Sequence, residues 1–595
     1  MPIASRTCLA LLCLVFCSTA QAARVTDVDI RGIDDEDMAE NIRVSLSLVD
    51  AIGRELSERR LAYLVGEAED EAREALQPFG YYDPQITVEQ TGRGDATAVT
   101  VTVDPGQPVR VRRSDIAIVG DGAADRYLQA DLDAFEPEPG EVLDHAQYEL
   151  SKRAISRRLT ERGYFDADFN SRRVEVTRAE RAADIELVWD SGQRYDIGNI
   201  DFRQEPRRII REGLLEELVY WEEGSYYHQG KLDRLRDSLS GLDYFSSIDI
   251  RPQLDQASDG QVPVVVTLTP AKRSVYNAGI SFGTDSGAGI NLGLERRYLN
   301  QRGHKALAQL NLAERRSTLT LQYRIPAFAW LDGWYTFAAQ AADEQTDYID
   351  SRRIEFVASR SGQISDQWTA IASVHALRER WDYVEEDDQG QVIDPDYRYA
   401  TFTYPSIRGE YVDIDDLAFP REGVAGTVLL RGGVEGAGSD ADFLQTRLTA
   451  RWYKGFGERD RLILRGEIGH TFTDEVVSLP PSLRFYAGGD RSIRGYEWRE
   501  VGPRITAADG SQFALGAENV VTGGIEFEHY FNDTWGAAVF VDSGSAFNDD
   551  PDWRTGVGVG LRWRTPVGPL RVDIARGLDN PDSDFQLYLA IGAAL

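Results

Sequence analysis

A chain of 595 residues is longer than one hydrophobic core sustains, so several domains are expected. Its 98 acidic against 65 basic residues give a formal charge of −33, which argues against a nucleic-acid partner. All three cysteines, Cys8, Cys13 and Cys17, fall near the start, so neither a disulfide framework nor thiol chemistry is expected in the mature chain.

Residues 1–22 read as a signal peptide. Arg6 supplies the positive charge, residues 9–16 form a short apolar core, and Ala20-Gln21-Ala22 gives the small-x-small cleavage pattern. After it no stretch approaches the roughly 20 apolar residues of a membrane helix. An exported chain of this kind is periplasmic, secreted, or an outer-membrane β-barrel.

Residues 24–271 repeat with a period near 80. Three units are expected, at 23–106, 107–192 and 193–271. Each opens with a strand, continues with two helices, and closes with two strands. The second helix ends in Gly80-Tyr81-Tyr82, Gly163-Tyr164-Phe165 and Asp243-Tyr244-Phe245. A sharp exit followed by an aromatic pair would plug the helices onto a small sheet. His145 and His228 are isolated and read as surface or packing residues. This βααββ order resembles the POTRA domain of outer-membrane assembly factors. The resemblance implies an open sheet edge that receives extended chains by strand addition.

From Ser274 the period becomes two. Tyr276, Ala278 and Ile280 alternate with Asn277, Gly279 and Ser281. Leu444, Leu448, Ala450 and Trp452 alternate with Gln445, Arg447, Thr449 and Arg451. One face would meet lipid and the other a wet interior, since arginine at the bilayer midplane costs roughly 2–4 kcal/mol. Nine of the eleven tryptophans lie beyond residue 272, as interfacial girdles require. Residues 272–595 are therefore expected to form a membrane β-barrel of about 16 antiparallel strands. Its last strand would run to Leu595.

Residues 485–498 break the alternation. Gly488 and Gly489 favour positive φ, and Asp490, Arg491 and Arg494 put charge on both faces. A charged, glycine-rich loop set among such strands, about 487–518, is expected to fold into a cavity. Together these features resemble the superfamily of outer-membrane insertases and secretion pores that join POTRA domains to a barrel. Its mark is an Arg-Gly-aromatic loop tip, here Ile493-Arg494-Gly495-Tyr496. The resemblance implies that Arg494 pairs with Glu526 and Asp542 on the following strands, Glu528 being a weaker candidate. It implies a weakly paired seam between the first and last strands, marked by Val275, Gly279, Gly283, Gly592 and Leu595.

Within the superfamily, three POTRA units resemble the TamA-like translocation and assembly barrels. The implied role is non-enzymatic. Such a chain assists assembly or secretion of outer-membrane proteins such as autotransporters, with unfolded outer-membrane proteins as clients. The resemblance also implies a TamB-like periplasmic partner at the POTRA end, a lipid bilayer around the barrel, and no cofactor, metal or nucleic acid. A two-partner-type secretion pore is the alternative. A barrel-housed hydrolase would need a nucleophile and base brought together. Ser286 and Ser543 lack the Gly-x-Ser-x-Gly elbow. His304, His375, His470 and His529 show no paired metal spacing.

Overall fold

The computed structural model describes residues 22–92, 97–283, 287–328, 333–345, 349–383, 397–506, 512–565, 568–579 and 585–591. The signal segment with its cysteines, Ser286, Gly592 and Leu595 lie outside them. The chain forms two compact units. One combines Met1–Asp201, Trp221–Arg234 and Arg251–Val265; the other combines Phe202–Tyr220, Leu235–Ile250 and Val266–Leu595. Among the described residues no helix is long and apolar enough to cross a membrane.

The first repeat carries strands Ala22–Arg31, Gln85–Thr91 and Thr97–Asp104. A short strand, Glu55–Ser57, adds a fourth member at the sheet edge, which the βααββ reading did not include. Ser57 ends that strand and caps helix Glu58–Leu76, its side chain accepting from the Arg60 N–H. The second repeat builds a three-stranded sheet from Arg110–Val119, Asp168–Thr177 and Ala182–Asp190. The third uses Asp196–Gln204, Phe245–Pro252 and Gln261–Pro270.

In the first two repeats the closing strand lies parallel to the opening one and antiparallel to the other. That central place explains its apolar run: Val99, Val101, Ile185, Leu187 and Trp189 are all buried.

The helix exits adopt left-handed backbone, with φ of 85° at Gly80, 87° at Gly163 and 55° at Asp243. Aspartate is among the few side chains that tolerate this conformation. The aromatic pair after each of the first two exits does two jobs where one was expected. Tyr81 and Tyr164 pack into the cores of their own repeats. Tyr82 joins the core of the second repeat, and Phe165 packs on Tyr195 and Tyr227, at 5.8 and 4.7 Å between ring centroids. Neighbouring side chains on non-helical backbone point to opposite sides, so one serves each repeat. The junctions are also hydrogen-bonded: Val109 N–H donates to Gly80 O at 2.8 Å, and Tyr195 N–H to Gly163 O at 2.9 Å. His145 bonds the Tyr82 hydroxyl at 2.7 Å, and His228 Nδ1 accepts the Gly230 N–H at 3.0 Å.

The second half forms a single 16-stranded antiparallel sheet in sequence order. Its strands are β1 (Ser274–Gly283), β2 (Gly287–Arg296), β3 (Lys305–Ala313), β4 (Arg316–Pro326), β5 (Gly333–Gln345), β6 (Ile349–Gln363), β7 (Trp368–Tyr383) and β8 (Arg398–Ile414). They continue as β9 (Gly423–Gly433), β10 (Phe443–Phe456), β11 (Asp460–Phe472), β12 (Asn519–Tyr530), β13 (Trp535–Phe547), β14 (Arg554–Thr565), β15 (Gly568–Gly577) and β16 (Gln586–Ile591).

Exposed apolar side chains recur on one face of these strands, among them Ile280, Leu321, Phe356, Val374, Ile407, Leu430, Ile525, Val541 and Ile574. Their alternates, such as Glu355, Gln445, Glu526, Asp542 and Asp573, face the lumen. This sorting lets lipid and water meet opposite faces of one strand. β1 pairs with β2 and β16 with β15; among the described residues no ladder joins β1 to β16.

Candidate functional site: an arginine latch inside the barrel

Between β11 and β12, the described residues 473–506 and 512–518 fold into the lumen, where Arg504–Thr506 and Gln512–Ala514 form a small antiparallel pair. The loop's apolar residues Phe485, Ala487, Ile493, Tyr496 and Val501 cluster with Ala517, Val520 and Ala546. The base is held by Arg484, which donates to the carbonyls of Leu479 at 2.8 Å, Leu515 at 2.6 Å and Val477 at 3.0 Å. Gln445 on β10 donates to Leu483 O at 2.8 Å, and Ser482 donates to the Glu379 carboxylate of β7. A loop buried in this way must have its carbonyls satisfied, and these side chains do so.

The tip turns through Gly488 and Gly489, at φ of 103° and 93°. Gly489 N–H donates to Tyr496 O at 3.1 Å and closes the turn. At Gly495 (φ 100°) an added Cβ would stand 2.5 Å from the Arg576 carbonyl carbon. At Gly556 on β14 it would stand 1.8 Å from Arg494 O. Two glycines therefore let loop backbone lie directly on strand backbone.

Arg494, 3% exposed, is the centre. Its Nε and Nη2 donate to Asp542 at 2.7 and 3.2 Å, and its backbone N–H adds a third bond at 3.2 Å. Nη1 reaches Glu526 at 2.7 Å and Asp573 at 3.1 Å. The guanidinium lies 3.3 Å from the centroid of the Phe540 ring. Arg562 holds the other sides of these carboxylates, donating to Glu526 and Asp573 at 2.5 Å each and to Glu528 at 2.7 Å. Arg461 donates to Glu528 at 2.6 Å, and Arg465 lies 2.7 Å from Asp542. Four guanidiniums (Arg461, Arg465, Arg494, Arg562) thus face four carboxylates (Glu526, Glu528, Asp542, Asp573). The buried network is neutral as a whole, which buried charges need.

The structure brings Arg494, Glu526 and Asp542 together. Glu528 is fully buried in the same network but bonds Arg461 and Arg562, not Arg494. Asp573, Arg461 and Arg465 were not singled out in the sequence, and Arg562, expected on the wet face with Arg447, Arg451 and Arg564, was given no partner. Their signal was parity: Arg562 alternates with the exposed Leu561 and Trp563, and Asp573 precedes Ile574. Tyr588 of β16 was also missed. Its hydroxyl accepts the Gly495 N–H at 3.0 Å and donates to Tyr496 O at 2.9 Å.

Val275, Gly279 and Gly283 lie on β1, the end of the sheet. Ser543 bonds Thr555 at 3.0 Å, while His304, His470 and His529 bond Tyr323, Asn519 and Asp460. Among the described residues no cluster of histidine, cysteine or acidic groups could hold a metal ion.

The Omp85 superfamily domain matches residues 299–594. The POTRA domain described as TamA domain 1 matches 27–105, and the POTRA surface antigen variable number repeat matches 111–189. The chain is an Omp85 superfamily barrel preceded by POTRA domains. It is 23% identical over 427 residues to an outer membrane protein assembly factor BamA of Nitratidesulfovibrio vulgaris, a match covering 70% of this chain and 53% of that protein. It therefore spans about half the length of that relative. To BamA of Neisseria meningitidis it is 19% identical over 574 residues, covering 86% of this chain and 70% of the relative. The structure of Haemophilus ducreyi BamA lacking POTRA domains 1–3 superposes with a TM-score of 0.63 at 17% identity, covering 81% of this chain and 99% of that one. That is a shared fold. As an Omp85 protein the chain is an outer-membrane β-barrel with periplasmic POTRA domains.

Proposed function

We propose that this Omp85 barrel is a TamA-type subunit that helps insert or translocate other outer-membrane proteins, such as autotransporters, together with a TamB-like periplasmic partner. The match of the first repeat to the TamA-type POTRA domain supports that branch of the superfamily. The observation that carries the reading is Tyr588. It ties the loop tip to β16, one of the two end strands that no ladder joins among the described residues. The latch and the seam are thereby one device. Val275, Gly279 and Gly283 on β1, facing β16, belong to the seam that opens; Gly592 and Leu595, expected to share it, lie outside the described residues. An opened seam offers unpaired strand edges to an incoming client and shortens the hydrophobic wall beside it. This role needs no covalent chemistry from the protein.

The test is reconstitution. Vesicles containing the full chain should fold an added outer-membrane β-barrel client faster than empty vesicles do. A large, steady single-channel conductance with no gain in client folding would instead mark a secretion pore.

A further inference from the structure

Away from the latch, the lumen faces of β6 to β9 and loop residues Ser482 and Leu483 enclose a cavity of roughly 370 Å³. Ser373 and His375 line it from β7, Glu355 from β6 and Tyr404 from β8. Ser373 Oγ lies 2.9 Å from His375 Nε2, and His375 Nδ1 lies 2.8 Å from Glu355 Oε1. A carboxylate only accepts, so in the neutral imidazole it fixes the proton on Nδ1. Nε2 is then left bare to accept the Ser373 O–H. The Tyr404 hydroxyl donates to the same carboxylate oxygen at 3.3 Å. Its ring stacks on the imidazole at 4.8 Å and 3°, holding the imidazole plane.

We propose that Ser373, His375 and Glu355 form a serine esterase centre for small anionic carboxylic esters, separate from the assembly role. The geometric requirement is a nucleophile bonded to a base that is itself oriented by a third group, whatever the fold or chain order. Both bonds lie within hydrogen-bonding reach. Ser373 is the register partner of Ser359 on β6 and of Ser406 on β8, and both of these also line the cavity. A serine on each neighbouring strand is thus in register with Ser373, offering hydroxyl donors to an oxyanion. Arg353 and Arg431 supply the affinity for a negative substrate, and Arg353 Nε is buried with no hydrogen-bond partner among the described residues.

The step balances without a cofactor. Ser373 Oγ adds to the ester carbonyl carbon while its proton passes to His375 Nε2. The carbon–alkoxy bond breaks, and that proton goes to the departing alcohol oxygen. Water then attacks the acyl-Ser373 ester with His375 as base, releasing the acid and restoring the serine. Ser373 and His375 are the catalytic residues and Glu355 is a positioning residue.

The full-length folded protein in detergent should be treated with a fluorophosphonate probe and digested for mass spectrometry. The expected adduct is on Ser373, absent in Ser373→Ala and His375→Gln and unchanged in Ser543→Ala. Hydrolysis of 4-nitrophenyl succinate should exceed that of 4-nitrophenyl butyrate and fall roughly 100-fold or more in Ser373→Ala. Glu355→Gln should move the acidic limb of the pH–rate profile, which a merely structural carboxylate would not do. An unlabelled Ser373 in folded wild-type protein overturns the proposal. So does hydrolysis that Ser373→Ala leaves at the wild-type rate.

Discussion

Tyr588 on the last described strand holds the Tyr496 carbonyl of the loop tip at 2.9 Å. Both groups are buried, and the same hydroxyl takes the Gly495 N–H. Tyr588→Phe keeps the ring but strands the Gly495 N–H, at about 1–3 kcal/mol, while the Tyr496 carbonyl keeps the Gly489 N–H. The tip should become more sensitive to limited proteolysis while the barrel keeps its heat-modifiable migration on gels.

Arg494→Ala leaves its network one negative charge in excess. Removing one partner of a buried pair costs about 3–5 kcal/mol, so the loop should be released and assembly activity lost. Arg494→Lys should recover only part, because a point charge cannot fork between Asp542 and Glu526. Asp542→Asn combined with Arg494→Ala should cost less than the two single defects added together, as coupled groups do. Full additivity in proteolysis rates would show that the two residues act independently.

Gly495→Ala tests the same docking without altering charge. The new methyl would need left-handed backbone at φ 100° and would meet the Arg576 carbonyl carbon. The loop should be released, with a gain in limited proteolysis like that of Arg494→Ala, although every charged residue of the network is still present in the chain.

In the periplasmic half, burial pushes the His145 imidazole below its ordinary value, against the opposing pulls of Asp144 and Glu149. A histidine that resists protonation when folded contributes stability above its unfolded pKa, near 6.5, and loses it as pH falls. Hydrogen exchange of the full chain should show the Tyr82–His145 junction loosening as pH drops below about 6.5. His145→Gln should flatten that dependence.

The repeats and the barrel were legible because each rests on a period: about 80 residues for one, two for the other. The sixteen-stranded sheet and the five strands after the loop follow from alternation that lipid and water enforce. The latch was legible only at Arg494, Glu526 and Asp542. Arg562 was read only as a wet-face residue and Asp573 was not read at all, because alternation tells which face a residue takes but not what it meets there. The Ser373–His375 contact was missed because its orienting carboxylate, Glu355, comes from the neighbouring strand. The Tyr82 and Phe165 contacts were misassigned because spacing within one repeat does not reveal how the next repeat stacks.

The central claim is that the two end strands, joined by no ladder among the described residues, must part for clients to be assembled. Cysteines paired between residues 275–281 of β1 and 586–590 of β16 would cross-link wherever Cα atoms come within about 7 Å, in a mature chain expected to carry no other thiol. The deciding measurement is the rate of client folding in vesicles before and after oxidation of such a pair, with reduction as the control. Loss of activity on oxidation, restored by reductant while the barrel stays folded, is the expected result. A locked barrel that assembles its client at the reduced protein's rate would contradict the account.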